Sequence, residues 1–161
     1  MPEIVVIAHN IRSVFNVGSI FRTCEGFGVR RLILSGYTPY PELQGDSRLP
    51  HERAKLTAQI HKTALDAEAL IPFEHQAVPD IEILRSAGYR IVGLEQDNSS
   101  IMIQNYDAPE KIALLLGEEV EGIGRDLRDL CDELVEIPMY GQKESFNVAV
   151  ATGIALYALT S

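Results

Sequence analysis

The chain has 161 residues, 46% hydrophobic and 23% charged, which is typical of a globular domain with a core and excludes a disordered chain. Its net charge of −9 argues, taken alone, against a nucleic-acid partner. No apolar run reaches the roughly 18 residues of a membrane span, and the N-terminus lacks the features of a signal peptide, so no membrane partner is expected.

The two cysteines, Cys24 and Cys131, fit neither a disulfide framework nor a CxxC metal pair. The four histidines lack metal-binding spacing, so capping or surface roles are expected and no metal site is predicted. We therefore expect a cytoplasmic protein with reduced thiols.

The charge is distributed unevenly along the chain. Residues 1–62 carry eight Lys/Arg and five Asp/Glu, a net charge of +3, whereas residues 63–161 carry six and eighteen, a net charge of −12. Two interpretations remain open at this point. Either the surface charge is uneven by chance, or the first third forms a modest basic face for a polyanion on an acidic body.

Short apolar runs alternate with helical patterns in the first half of the chain. In order, these are a strand over 3–8, a helix from about Val17 to Phe27, a strand over 30–36, a long loop rich in Pro and Gly over 37–50, and a helical stretch over 51–71 with a break near Asp66.

The same alternation continues in the second half. In order, these are a short helix within 78–89 ended by Gly88, a strand over 90–95, a connection over 97–110 with a short extra strand around Ile101–Ile103, a strand over 111–117, a helix within 124–133, a strand over 134–139 and a helix over 145–159. This pattern predicts one α/β domain spanning 1–161, with a mostly parallel sheet flanked by helices.

The closing helix is apolar nearly all round, with small residues interspersed. Such a helix must be buried on several sides, against its own sheet or against a second subunit. Of these two, we favour the subunit contact.

The first helix has an unusual second face. Gly18, Arg22 and Gly26 recur every four residues, although each glycine costs a helix roughly 1 kcal/mol relative to alanine. Asn16 is placed to cap this helix, and Arg22 could simply be solvated. The alternative that we favour is a closely approaching anionic ligand, because guanidinium binds phosphate in a fork.

Two later stretches also follow predicted strands. LLLGEEVEGIG, residues 114–124, is either a ligand-facing loop or a charged turn. EIPMYGQKESFNVAVATG, residues 136–153, has a turn, then Ser145 as the expected helix cap, then Asn147. The Asn147 amide needs partners in the preceding backbone, in a ligand, or in both. P-loop, GxGxxG and GxSxG motifs are absent from the chain.

In order and spacing, these three stretches resemble the signature motifs of the SpoU–TrmH branch of the SPOUT class of RNA methyltransferases. The first motif is matched by Asn16 and Arg22. The second and third are matched by Gly117, Glu119 and Gly122, and by Ile137, Pro138, Met139, Gly141, Ser145 and Asn147. Two positions depart from the pattern: Glu118 stands where the family commonly has Asn, and Ala149 where it often has Ser.

The resemblance implies S-adenosylmethionine-dependent methylation of a ribose 2′-hydroxyl in tRNA or rRNA by a homodimer. It also implies the SPOUT fold, with a deep trefoil knot in the C-terminal part, and dimer contacts through the knot and final helix. The positions that match the cofactor site are Leu94, Gly117, Ile137, Met139 and Ser145.

The resemblance implies roles for Arg22, Asn16, Ser145, Asn147 and Glu119 in the reaction. Because deprotonation of an arginine is costly, we expect Arg22 to fix the phosphate and stabilise the developing alkoxide rather than act as a base. Asn16, Ser145 and Asn147 would orient the ribose and the loops, and Glu119 would brace the knot loop.

RNA would then contact exposed cations on the dimer surface. The candidates in the basic third are Arg12, Arg30, Arg31, Arg48, Arg53 and Lys55. With so few cations, binding should be weak and salt-sensitive, and an accessory protein is a further expected partner. Two alternatives to the enzyme stay open: a non-catalytic RNA- or cofactor-binding module on the same scaffold, and an ordinary doubly wound nucleotide-binding protein.

Overall fold

The computed structural model describes all 161 residues as a seven-stranded, entirely parallel sheet covered by helices on both faces. The strands, in chain order, are β1 (Glu3–His9), β2 (Arg31–Ser35), β3 (Phe73–Gln76), β4 (Arg90–Leu94), β5 (Ile101–Met102), β6 (Lys111–Leu116) and β7 (Glu133–Glu136). They lie in the order β3-β2-β1-β6-β4-β7-β5, so the α/β prediction is confirmed.

The helices are α1 (Val14–Gly26), α2 (Pro50–Ala64), α3 (Ala67–Leu70), α4 (Ile81–Ser86), α5 (Arg125–Leu130) and α6 (Val148–Thr160). A 3₁₀ turn over Ile103–Asn105 follows β5. The predicted break near Asp66 is confirmed, because Leu65 and Asp66 have φ angles of 50° and 77° and separate α2 from α3. No helix in the chain has the length and apolar character that crossing a membrane requires.

Successive strand residues point to opposite faces and build two cores. On one face, Val6 and its neighbours pack with α1, α2, α3 and α6; on the other, Val5 and Ile7 pack with α4 and α5. The central strands β1 and β6 are buried on both faces, which explains why they are recognisable as continuous apolar runs.

One strand of the sheet, β3, is not predicted by the sequence pattern. β3 is a four-residue edge strand, FEHQ, in which every residue is only partly buried. A short polar edge strand has neither an apolar run nor an alternating pattern long enough to detect.

The two helices with predicted site residues begin elsewhere than expected. α1 begins at Val14 rather than about Val17, and α6 begins at Val148 rather than Ser145. The carboxyl ends of all seven parallel strands lie at one edge of the sheet. There the loops that follow the adjacent strands β6, β4 and β7 meet.

Candidate functional site

A cleft of about 500 Å³ opens at this edge, between the loops that follow β4, β6 and β7. Its volume falls in the range of about 300–1,000 Å³ that is usual for small-molecule sites. The carboxyl edge of a parallel sheet is where such folds bind ligands. Seven of the seventeen lining residues are hydrophobic, and we call Leu94, Leu116, Ile137 and Val148 among them the aliphatic wall.

The rest of the lining is strongly acidic. None of the lining residues is Lys, Arg or His. Six are glutamates, namely Glu95, Glu118, Glu119, Glu121, Glu136 and Glu144. A concave surface with charge of one sign focuses the potential, so this cleft favours a cationic ligand over an anionic one.

Glycines allow the loop after β6 to fold back on itself. Glu118 N donates to Gly122 O at 3.0 Å, and Gly122 N donates to Glu118 O at 2.7 Å. A Cβ at Gly117 would lie 2.4 Å from Ile123 N, and Gly122 has φ of +70°. Both positions therefore require glycine, and Gly117 lines the cleft with its backbone.

A chain of side-chain hydrogen bonds joins the three motifs. Asn147 Nδ2 donates to Asn16 Oδ1 at 3.1 Å, and Asn16 Nδ2 donates to Glu119 Oε1 at 2.8 Å. Asn147 Oδ1 accepts from Ala149 N and Val150 N at the start of α6. Because the helix engages this oxygen, the Asn147 amide group must point its nitrogen at Asn16, which in turn fixes the Asn16 amide toward Glu119.

Both predicted helix caps are wrong. Ser13 caps α1 by accepting a hydrogen bond from Asn16 N, and Asn147 caps α6 in place of Ser145. The side chain of Asn16 is thereby free for Glu119 and Asn147. Ser145 is exposed, lines the cleft and makes no hydrogen bond within the chain.

The interpretation of the Gly18–Arg22–Gly26 face as a single ligand-facing stripe is also wrong. A Cβ at Gly18 would lie 2.0 Å from Thr63 Oγ1 and 2.3 Å from Ile60 O, so the close neighbour of Gly18 is α2. Gly26 has no atom within 4 Å of such a Cβ.

Arg22 remains a free cation on α1. It is exposed, lies outside the cleft lining and makes neither an ion pair nor a hydrogen bond. The next residue, Thr23, faces Gly153 of α6, where a Cβ would be 3.6 Å from Thr23 Cγ2. Arg22 therefore stands beside the α1–α6 contact with its guanidinium directed to solvent.

Of the positions expected to hold a cofactor, Leu94, Gly117, Ile137 and Ser145 line the cleft. Met139 is half-buried and lies outside the cleft lining, so the structure does not group it with the other four. Pro138 and Met139 belong to the segment that leaves β7, which lines the cleft at its first residue, Ile137, and again over residues 144–146.

Glu95 and Gln96, which follow β4 and line the cleft, belong to none of the predicted motifs. A polar pair directly after a buried strand could have identified them, as it identified the residues after β6. At the cleft rim, Glu118 lies 3.9 Å from Arg12, an exposed pair of little energetic weight.

Three of the six cations expected to contact RNA are held by their own chain. Arg31 pairs with Glu74 at 2.7 Å. Arg48 and Arg53 tie together the loop over 37–50 through Asp46, Glu42 and backbone carbonyls. Arg12 and Lys55 remain exposed, and Arg30 is largely exposed beside Glu3.

Neither cysteine is suited to act as a nucleophile, because burial raises the pKa of the Cys131 thiol to about 11 and that of Cys24 further. Burial also lowers the pKa of His9. Ligand atoms of His61, Asp66 and Glu68 come within 4.8 Å of one another at the α2–α3 junction, away from the cleft lining. Sequence spacing did not single out this cluster.

Comparison with known proteins identifies relatives along the whole chain. The model of the SpoU rRNA methylase family matches residues 3–157. The 23S rRNA (guanosine-2′-O-)-methyltransferase RlmB of Coxiella burnetii is 32% identical over 159 residues, which are 97% of this chain and 57% of that protein.

Two further relatives come from other bacteria. The tRNA (guanosine(18)-2′-O)-methyltransferase of Aquifex aeolicus is 28% identical over 155 residues, 96% of this chain and 67% of that one. The AdoMet-bound rRNA methyltransferase of Sinorhizobium meliloti superimposes with a TM-score of 0.81 at 26% identity, over 98% of this chain and 55% of that chain. The chain spans about half the length of most curated relatives that it matches.

Proposed function

Because the chain belongs to the SpoU rRNA methylase family, we propose that it is an S-adenosylmethionine-dependent methyltransferase acting on a ribose 2′-hydroxyl of tRNA or rRNA. The observation that carries this proposal is the hydrogen-bonded chain from Asn147 through Asn16 to Glu119, which joins the three family motifs beside the acidic cleft. The named activities of the relatives from Coxiella burnetii and Aquifex aeolicus support it.

The cleft fits S-adenosylmethionine in size, polarity and charge. Its aliphatic wall suits an adenine ring, and backbone groups around Gly117 are available to hydrogen-bond the ring edge. The sulfonium and ammonium groups of this cofactor are cations, which six glutamates without a basic neighbour would attract.

When bound, the cofactor would supply an activated methyl group for the ribose oxygen, with the neutral thioether as the leaving group. The chain's own contribution would be positioning, since a well-oriented attacking group removes much of the barrier. Arg22, a free guanidinium, would bind the phosphate of the target nucleotide and stabilise the developing negative oxygen.

The remaining residues would act through geometry. Asn16 and Asn147 would present amide groups of fixed orientation to the ribose, and Ser145 would offer a hydroxyl that has no partner in the free chain. Glu119 would hold the Asn16 amide in place through its hydrogen bond. The hydroxyl proton would leave to solvent.

A homodimer built on α6 is part of the proposal. Val150 and Tyr157, on the side of α6 that faces away from the core, are 52% and 68% exposed, and a second subunit would cover them. The expected trefoil knot remains part of the proposal too, supported by the meeting of the β6, β4 and β7 loops at one edge. An accessory RNA-binding protein is the partner that we propose if the acidic dimer alone binds RNA too weakly.

Calorimetry with purified protein tests the cofactor assignment. We expect S-adenosylmethionine to bind, whereas ATP and NAD do not. Arg22→Ala should retain this binding because Arg22 lies outside the cleft lining. Binding of ATP or NAD without binding of S-adenosylmethionine would refute the proposal and favour an ordinary nucleotide-binding protein.

A further inference from the structure

We propose that Glu95 and Gln96 are positioning residues that hold the two loops of the cleft, those after β6 and β7, at the spacing that the cofactor requires. This inference rests on the proposed function. Both residues follow β4, the strand that lies between β6 and β7 in the sheet. One side chain reaches each loop, so the pair bridges the cleft from its floor.

Glu95 anchors the loop after β6. Its Oε2 accepts a hydrogen bond from Ile123 N at 2.7 Å, and its Oε1 accepts one from Gln96 N at 3.1 Å. Its own backbone is fixed on both sides, because Glu95 N donates to Val135 O at 3.0 Å and Ser100 Oγ donates to Glu95 O at 2.7 Å. The carboxylate therefore has a defined direction, toward the end of the loop.

The loop is built to receive this carboxylate. A Cβ at Gly122 would lie 2.2 Å from Glu95 Oε2, so only glycine leaves room for the carboxylate at this position. Ile123, the residue whose amide is bound, is 1% exposed and belongs to the core. Glu95 thus fixes the point at which the loop over 117–122 re-enters the core.

Gln96 anchors the segment after β7. Its Nε2 donates to Glu144 O at 2.7 Å. This is the only hydrogen bond that residues 138–146 make with any part of the chain. The same segment brings Ser145 and Phe146 into the cleft lining, so their placement depends on Gln96 and on the start of α6.

Conservative variants can separate the effect of the Glu95 hydrogen bonds on ligand affinity from the effect of its charge. Glu95→Gln keeps an oxygen that can accept from Ile123 N and removes the charge, whereas Glu95→Ala removes both. S-Adenosylhomocysteine, the thioether product, keeps the ammonium group but lacks the sulfonium charge, so it is the matching ligand for the sulfonium. If Glu95 acts by positioning, both ligands should respond alike. If it acts by a charge contact with the sulfonium, only S-adenosylmethionine should lose affinity. If it acts by charge on the ammonium group, Glu95→Gln should weaken both ligands as much as Glu95→Ala does.

The test is calorimetric titration of the full chain with both ligands. We expect Glu95→Ala to weaken both by about 10- to 100-fold, as loss of a charged hydrogen bond implies, and Glu95→Gln to stay within about fivefold of wild type. Gln96→Ala should weaken both by about three- to tenfold. Glu110→Ala and Gln104→Ala are matched controls, because these exposed side chains make no hydrogen bond.

Hydrogen exchange in the ligand-free chain gives an independent readout. We expect faster exchange over residues 117–124 in Glu95→Ala, but not in Glu110→Ala or Glu95→Gln. Unchanged affinity of Glu95→Ala for both ligands would overturn the proposal, whether or not the exchange changes. So would a Glu95→Gln variant that loses only the sulfonium ligand, since that result assigns a charge contact instead.

The two proposals fail in different ways. If wild-type protein binds neither ligand, the proposed function fails, and the exchange data alone decide whether Glu95 anchors the loop. If wild type binds and Glu95→Ala binds equally well, only the positioning role fails. Should Glu95→Ala not fold, Gln96→Ala and Glu95→Gln still carry the comparison.

Discussion

Asn147 serves two elements with a single side chain. Its oxygen caps α6, and its nitrogen binds Asn16, which lies 131 residues away in sequence. The helix cap therefore sets the orientation of the amide network next to the cleft. A substitution at Asn147 that keeps the capping oxygen but removes the hydrogen-bond donor should separate these two roles.

Asn147→Asp should be such a change, because aspartate caps helices as well as asparagine does but lacks the amide donor. We expect stability within about 0.5 kcal/mol of wild type and loss of methyl transfer, whereas Asn147→Ala should cost about 1 kcal/mol through the lost cap. Thermal unfolding and methyl transfer measure the two effects. Asn105→Asp, at an exposed side chain without hydrogen bonds, is the control, and full activity in Asn147→Asp would contradict the role of the network.

For individual residues, the motif spacing in the sequence predicted which side chains belong to the site but not which contacts they make. Ser13 and Asn16 are both good helix caps, and local sequence does not decide between them. The choice is made by Glu119, 103 residues away, which engages the Asn16 amide and leaves the cap to Ser13. Contacts of this range follow from the sheet order, which a single sequence does not reveal.

The two glycines in helix α1 have different structural roles, although they belong to the same sequence pattern. Gly18 is buried against α2, where its missing side chain admits the Ile60 carbonyl and Thr63. Gly26 ends the helix in open space. The spacing of the glycines predicted a close neighbour at both Gly18 and Gly26. Only the packing of α1 against α2 shows that Gly18 has one and Gly26 does not.

Alanine substitutions test this contrast. We expect Gly18→Ala to destabilise the chain by about 1–2 kcal/mol, since overpacking outweighs the gain in helix propensity. Gly26→Ala should be neutral or more stable by about 0.5 kcal/mol. Chemical denaturation measures both, and equal effects of the two substitutions would contradict the packing argument. Reduced RNA methylation in Gly26→Ala, with unchanged cofactor affinity, would indicate that RNA passes close to this position.

The loop over 37–50 is held by a polar stack rather than by secondary structure. Arg48 lies 3.6 Å over the ring of Tyr40, which stacks on His75 at 4.1 Å. Asp46 accepts hydrogen bonds from Arg48 and Leu43, and the Arg48 hydrogen bond lowers the pKa of Asp46 well below its usual range. Composition predicted a loop here, but not that it would be ordered by an arginine.

The lowered pKa of Asp46 gives a pH dependence with a definite sign. A carboxyl whose pKa is lower in the folded chain than in the unfolded chain stabilises the fold at pH values above the unfolded pKa of about 3.9. This contribution is lost as the pH falls toward the folded pKa. Asp46→Asn should therefore lower the thermal midpoint at pH 7, with the difference from wild type narrowing below about pH 4. A difference that stays constant from pH 7 to pH 2 would contradict this.

For the whole molecule, alternation of strands and helices predicted a parallel α/β sheet but not the strand order. The central order β1-β6-β4-β7 brings together loops that are far apart in sequence, and the cleft exists only because of it. The apolar character of α6 was visible in the sequence. In the fold, one side packs into the core through Ala155 and Leu156, while Tyr157 stays exposed.

Tyr157→Glu tests whether a second subunit covers that exposed side. Because Tyr157 is 68% exposed in the single chain, the charge should not disturb folding but should prevent association. By light scattering, the wild-type protein should have twice the 17.8 kDa mass of one chain, and the variant should have the mass of one chain. Ile83→Glu, at a 63% exposed position on α4, is the control and should remain dimeric. A monomeric wild type would contradict the dimer.

The measurement to make first is transfer of labelled methyl from S-adenosylmethionine to small RNA taken from a strain that lacks this protein. Nuclease digestion then locates the label, with Arg22→Ala run beside wild type. We expect 2′-O-methylated ribose from wild type and a loss of about 10²- to 10³-fold in the variant. No label, despite cofactor binding and intact folding, would contradict the enzymatic function and leave a non-catalytic binding module.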